Sequence, residues 1–225
     1  GWSTDADATV SNGQWELVNP VGSTSSGLPY APSEDNSASG TMCWVTAQGA
    51  EGGAASTDDL DGGPVTLTSP NLDLSSGDAR ISFALWHRCN DAGNALQEDF
   101  MTVEISNGGG WVTALTIDGA STSWTNHTFN CSEFVTPNST VQVRFICSDS
   151  PNDSVTEGAV DDFFVEQLSC DSSCLGDFNG DGTIDGADMG ILLARWETAD
   201  GDLTGDKTTD GADLGLLLSV FGNDC

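Results

Sequence analysis

The sequence predicts a mainly β protein with a small helical appendage, on two observations. Short alternating runs of apolar and polar residues, punctuated by Gly, Pro, Asn and Asp, fill the chain from Gln14 to about Leu168. A twelve-residue acidic loop then occurs twice, and each copy runs straight into an apolar segment of helical spacing. The expected organisation is a β-sandwich over residues 1–169, a linker at 170–174, and a tandem loop–helix module over 175–225.

The strands come first. Eight runs read as β: CWVTA at 43–47, VTLTS at 65–69, ISFALW at 81–86, FMTVEIS at 100–106, WVTALTI at 111–117, WTNHTF at 124–129, VQVRFIC at 141–147 and AVDDFFVEQL at 159–168. Alternation is clear in Ile81, Phe83, Leu85; in Met101, Val103, Ile105; and in Val141, Val143, Phe145. Eight strands with turn residues at this spacing predict antiparallel sheets packed face to face. No convincing helix precedes Ala187. The tryptophans at 2, 15, 44, 86, 111 and 124 read as core and edge packing rather than a sugar platform.

The loops follow. In Asp177–Asp188, DFNGDGTIDGAD, oxygen-bearing side chains fall at positions 1, 3, 5, 9 and 12: Asp177, Asn179, Asp181, Asp185 and Asp188. Gly182 takes position 6, and Thr183 at position 7 offers its carbonyl. This spacing wraps a hard cation in six or seven oxygens, and calcium is the expected ion. The second copy, DLTGDKTTDGAD, supplies Asp202, Thr204, Asp206, Thr208, Asp210 and Asp213. Of the 20 aligned positions in 177–196 and 202–221, 11 are identical. Lys207 stands where the first loop has Gly182. A positive φ there would cost roughly 1 kcal/mol, so the second site is expected to be the looser one.

A duplicated loop–helix closing on Asp, with no entering helix, resembles a type I dockerin over about residues 175–223. The resemblance implies two calcium ions and docking onto a cohesin-like protein. If the repeats pack with pseudo-twofold symmetry their ends come together, so Cys174 and Cys225 are expected to form a disulfide clasp. Met189, Leu192, Leu193 and Trp196 match Leu214, Leu217, Leu218 and Phe221; these stripes are expected to face each other as the module's core. Ile191 and Leu216 fall on another face, where they either dock a partner or widen that core. Ala187 and Ala212, at loop position 11, are small enough for a partner backbone to approach closely.

The sandwich carries a second resemblance. GWSTDADATVSNGQWELVNPVG, DLDGGPVTLTSPNLDLSSGDARISFALW, DFMTVEISNGGGWV and VRFICSDSPNDSVTEGAVDDFFV follow in an order similar to MAM-like jelly-roll domains of secreted bacterial peptidases and adhesins. This implies a non-catalytic jelly roll over about residues 1–170. It also implies a structural calcium, with Asp99, Glu157 and Asp161 as ligands and Asp61 as a possible loop ligand; the alternative is that these are ordinary turn and strand carboxylates.

Bulk composition narrows the function. Five Lys and Arg against 35 acids give a net charge of −30, which excludes nucleic acid as a partner and disfavours anionic membranes. No run approaches the length of a membrane span. Gly1 reads as the start of a processed fragment. Seven cysteines in an acidic, lysine-poor chain suggest an extracellular setting, with Cys89 and Cys131 as a second expected pair. Sequons at Asn126, Asn130, Asn138 and Asn152 cluster on one stretch and are candidate glycan sites.

No HExxH, GxSxG or phosphate-cradling loop occurs, and His87 and His127 read as packed or surface residues, so no enzymatic activity is expected. The expectation is a secreted, non-catalytic, calcium-binding protein of adhesion or assembly. Its C-terminal module would dock onto a partner protein or onto the jelly roll of a neighbouring copy, which could grow a filament. The alternative is a polysaccharide-binding accessory module cleaved from a secreted peptidase or glycoside hydrolase.

Overall fold

The computed structural model describes residues 1–88, 99–150, 154–168 and 174–223. The chain divides into two units, Gly1–Leu168 and Ser169–Cys225.

The first unit holds β1 (Ser3–Ala6), β2 (Glu16–Val18), β3 (Thr24–Ser25), β4 (Leu28–Pro29), β5 (Cys43–Val45), β6 (Gly62–Thr68), β7 (Ala79–Arg88), β8 (Met101–Ser106), β9 (Val112–Ile117), β10 (Thr125–Asn130), β11 (Gln142–Asp149) and β12 (Glu157–Gln167). One sheet runs β1-β6-β11-β8-β9, the other β10-β7-β12-β5-β2, and β3 pairs with β4 in a small hairpin. Every strand pairing among the described residues is antiparallel, apart from one isolated parallel bridge between Thr24 and Ala54.

From β5 onward the chain changes sheets at every connection except β8 to β9. The orders β5-β12-β7-β10 and β6-β11-β8-β9 are those of an eight-stranded jelly roll, to which β2 and β1 each add an outer strand. All eight predicted runs are these eight strands.

Alternation explains the core. Ile81, Phe83 and Leu85 of β7, Met101, Val103 and Ile105 of β8, and Val143, Phe145 and Cys147 of β11 turn inward and are buried between the sheets. Phe83 and Phe145 meet edge to face at 5.1 Å. At its far end β7 is buried on both sides. There Trp86 packs outward with Cys43, Val45 and Ala159, under a segment that follows β2. The Trp86 indole N–H donates to the Tyr30 carbonyl, the Trp124 indole to Glu34 O at 3.2 Å, and Asn36 N to Asp161 Oδ2 at 2.7 Å. A bulge in β12 between Asp161 and Phe164, with Asp162 at φ 48°, aims these carboxylates at that strap.

The second unit contains α1 (Gly186–Ala194) and α2 (Gly211–Ser219). Asp185 and Asp210 cap them, each in a reciprocal box with the aspartate three residues on. Backbone pairing then links the repeats in both directions. Ile184 N donates to Asn223 O at 3.1 Å and Gly222 N to Ile184 O at 2.8 Å. At the equivalent positions Thr209 N donates to Thr198 O at 2.6 Å and Glu197 N to Thr209 O at 2.9 Å. The two repeats thus pair reciprocally through equivalent backbone positions.

The expected helix stripes are corrected. Only Leu192 and Leu217 are fully buried, with Ile184, and Met189 and Leu214 pack partly against them. Leu193, Trp196, Leu218 and Phe221 are 48%, 40%, 52% and 43% exposed. Each helix has nine residues, so Trp196 and Phe221 lie past its end, where helical phase no longer applies. No helix among the described residues is long and apolar enough to cross a membrane.

Candidate functional site

The two loops differ in how their side chains are arranged. In the second, carboxylate oxygens of Asp202, Asp206 and Asp213 lie within 4.8 Å of one another, the one such trio of His, Cys, Asp or Glu among the described residues. In the first, Asn179 Nδ2 donates to Asp181 Oδ2 at 2.7 Å, so position 5 is held by the amide at position 3. Thr204 has no amide and instead turns its hydroxyl to Asp202 Oδ1 at 3.3 Å. The copy expected to be looser therefore has the more convergent carboxylates, although Lys207 does sit at φ 75° where Gly182 has 86°. Thr183, Thr208 and Asp185 keep their loop places, with Thr183 N donating to Asp181 Oδ1 at 3.0 Å and Thr208 N to Asp206 Oδ1 at 2.9 Å.

The closing aspartates also bind the loops to themselves. Asp188 Oδ1 accepts from the Phe178 and Asn179 amides at 2.8 and 3.2 Å, and its Oδ2 from Asp185 N at 3.0 Å. Asp213 repeats the set with Leu203, Thr204 and Asp210 at 2.8, 2.9 and 2.8 Å. The Asp185 amide, with those of Asn179 and Phe178, holds the Asp188 carboxyl below its ordinary range. The Asp210 amide, with those of Leu203 and Thr204, holds Asp213 at about 2. Both are ionised at neutral pH, and an oxygen-only, anionic donor set fits calcium. Ala187 and Ala212 are exposed at the helix starts, while Ile191 and Leu216 are half-buried.

In the sandwich, Asp99, Glu157 and Asp161 are not brought together. Asp99 Oδ2 accepts from Ser154 Oγ at 2.9 Å, beside Asp149, whose carboxyl burial lifts to about 6. Glu157 is 2% exposed; its Oε1 accepts from Ser23 Oγ at 2.9 Å and its buried Oε2 has no hydrogen bond. Burial, with Asp59 and Asp58 nearby, pushes it up to about 8. Asp161 staples the strap instead, and four residues of extended strand separate it from Glu157, about 13 Å. Asp61 pairs its backbone with Asn12.

The cysteines partly depart from expectation. Cys131 is a free, fully buried thiol, so the pairing with Cys89 is corrected: its Sγ faces Val135 O at 3.9 Å inside the core. Cys89 itself lies outside the described residues. Cys174 is disulfide-bonded; Cys225 lies outside the described residues. Of the sequons, Asn126 is exposed on β10. Asn130 Nδ2 donates to Glu133 at 3.0 Å and Asn138 Nδ2 to Asn107 O at 2.8 Å. Asn152 is outside the described residues.

Two clefts were not foreseen. One, of about 460 Å³, lies between the strap and the outer face of the second sheet, with Trp86, Trp124, Thr24, Ser33, Asp35 and Ser123 among its walls. Trp86 and Trp124 stand edge to face at 6.0 Å. The other, of about 330 Å³, lies on the opposite side of residues 121–125 and is lined by His87 and His127. Aromatic and histidine residues at strand ends, ALWHR and SWTNH, were the available signal.

No protein-family model matches the chain, and no curated protein matches it. Solved structures that it resembles include the K1 cleaved adhesin domain of Lys-gingipain from Porphyromonas gingivalis W83, at 16% identity over 75% of this chain and 91% of that one, TM-score 0.46. TmCBM61, solved with β-1,4-galactotriose, shows 13% identity over 74% and 88%, TM-score 0.44. The CBM22-1 xylan-binding domain of Paenibacillus barcinonensis Xyn10C shows 12% identity over 75% and 86%, TM-score 0.38.

Proposed function

We propose that this is a secreted, non-catalytic binding protein whose jelly roll takes carbohydrate in the cleft between Trp86 and Trp124. The observation that carries this reading is the state of the two indoles. Both N–H groups are spent on backbone carbonyls of Tyr30 and Glu34, so what Trp124, half-buried at the cleft wall, offers a ligand is its ring face. Hydroxyls and carboxylates of Thr24, Ser33, Glu34, Asp35 and Ser123 surround it. An apolar ring face ringed by such groups suits a sugar, whose C–H faces stack and whose hydroxyls need acceptors. Titrating neutral polysaccharides, β-galactan and xylan among them, by calorimetry tests it. Binding that falls about tenfold in Trp124→Ala supports the cleft, the order of magnitude that aromatic stacking is worth. Equal binding by that variant refutes it.

The second unit supports a further reading: attachment by a calcium-dependent module. Asp202, Asp206 and Asp213, with Asp177, Asp181 and Asp188 in the first loop, would hold the ions, which would neutralise charge in a chain of net −30. The exposed pairs Leu193 and Leu218, Trp196 and Phe221 occupy equivalent places in the two repeats, and a partner protein or second copy would cover them. Light scattering in calcium and in EDTA tests this. A particle that stays monomeric in both, and captures no partner domain, removes the self-assembly reading.

A further inference from the structure

We propose that the cleft lined by His87 is a second, separate binding site for one hydroxyl-rich ring, either a free monosaccharide or the terminal residue of a glycan. His87 follows Leu85 on the inward side of β7, at the end of the sandwich where the connection from β9 to β10 crosses over it; Ser121 N donates to His87 O at 2.7 Å. Its side chain is 2% exposed; neither ring nitrogen makes a hydrogen bond of good geometry, and the Gly119 backbone and the Asp118 carboxylate are the polar groups that act on it. Leaving two such groups buried and poorly met is costly, and both belong to a residue lining a cleft of about 330 Å³.

The remaining walls select the ligand. Leu85, Ile117 and Ala120 supply apolar surface, and Asp118 is an exposed carboxylate at the rim. The hydroxyls are already engaged: Thr125 Oγ1 with Leu85 O at 3.1 Å and His127 Nε2 at 3.0 Å, and Ser121 Oγ with the backbone of Ser123. His127 lies stacked on Phe83 at 5.9 Å. What the cleft offers a ligand is therefore the His87 imidazole, with the Asp118 carboxylate at the rim.

Burial holds His87 neutral, with a pKa of about 4, so it offers one donor and one acceptor. A hydroxyl both gives and takes a hydrogen bond and can satisfy either nitrogen in either tautomer, while another hydroxyl donates to Asp118. An anion finds no Lys or Arg in the lining. A metal ion finds no converging trio of ligand residues here among the described residues. The volume lies at the small end of ligand pockets, which suits a single ring.

This site is independent of the tryptophan cleft. Trp86 and His87 are adjacent on β7 and face opposite sides, and residues 121–125 divide the two spaces. Imidazole nitrogen NMR on the ¹⁵N-labelled chain reads it directly. Probes are a panel of free aldohexoses, 6-deoxyhexoses and N-acetylhexosamines, then oligosaccharides ending in those residues. The expected result is a saturable shift of both His87 ring nitrogens. It should weaken at least about tenfold in Ala120→Trp, which blocks the exposed mouth, and persist in Trp124→Ala. A shift from free sugars marks a monosaccharide site, and a shift from oligosaccharides alone marks a glycan end. No shift with any probe overturns the proposal. So does a shift that survives Ala120→Trp or vanishes in Trp124→Ala, which would return binding to the first cleft.

Discussion

Asp188 Oδ1 accepts a hydrogen bond from the Phe178 amide, ten residues earlier, at 2.8 Å. The start of the loop is thereby tied to the first turn of α1. Asp188→Ala removes this bond and those from Asn179 and Asp185, at about 1 kcal/mol each. The expected outcome is a destabilised second unit in EDTA as well as in calcium, seen as loss of its NMR dispersion while the jelly roll keeps its own. If the variant matches the wild type in EDTA and is weaker only in calcium, the hydrogen bonds contribute little and the ion does the holding.

Lys207 lies in the left-handed region at φ 75°. Lys207→Gly relieves this and should stabilise the second unit by roughly 0.5–1 kcal/mol, after the extra freedom glycine gives the unfolded chain. Chemical denaturation monitored on the second unit measures it. An unchanged or lowered midpoint would show that the turn tolerates lysine without strain.

Glu157 predicts a pH dependence of the jelly roll. Its folded pKa of about 8 lies above the ordinary carboxyl value of 4.5, so the folded state keeps a proton that the unfolded state has released. Its contribution is whole below about pH 4.5 and is lost as pH rises through 8. Asp149, lifted to about 6, has largely finished titrating by pH 7. Between pH 7 and 8, in EDTA, stability should fall by up to about 1.4 kcal/mol per unit, and Glu157→Gln should flatten the slope. A wild-type curve already flat there would rule out a buried, protonated Glu157.

Leu192 and Trp196 separate packing from docking. Leu192 is fully buried, and Leu192→Ala should cost about 2–4 kcal/mol in the second unit. Trp196→Ser and Leu218→Ser, at exposed positions, should leave its stability within about 0.5 kcal/mol and abolish any calcium-dependent association. Ile191→Asp, at a half-buried place, should unfold the unit. Association that survives both serine variants would move the contact elsewhere, for instance to Ala187 and Ala212.

The jelly-roll strands were legible because period-2 alternation reports a face turned to a core, as in Ile81, Phe83 and Leu85. The short strands β1 and β2 were not, since their residues are mostly exposed and carry little pattern. The loops were legible through the fixed spacing of Asp177, Asp181 and Asp188. The helix stripe failed at Trp196 and Phe221 because periodicity assumes a helix still running, and these stop after nine residues. The clefts at Trp124 and His87 depend on which segments cross over the ends of β7, and no local spacing encodes that.

The reciprocal pairing of Ile184 with Gly222 and Asn223, and of Thr209 with Glu197 and Thr198, ties the two repeats into a single folding unit. Each repeat finishes its own loop with backbone borrowed from beyond the other's helix. A chain cut at Asp200 would leave Ile184 with its amide and carbonyl unpaired, however well the first loop held its ion. Duplication here does not yield a working half and a spare; it yields one object that exists only when both copies are present.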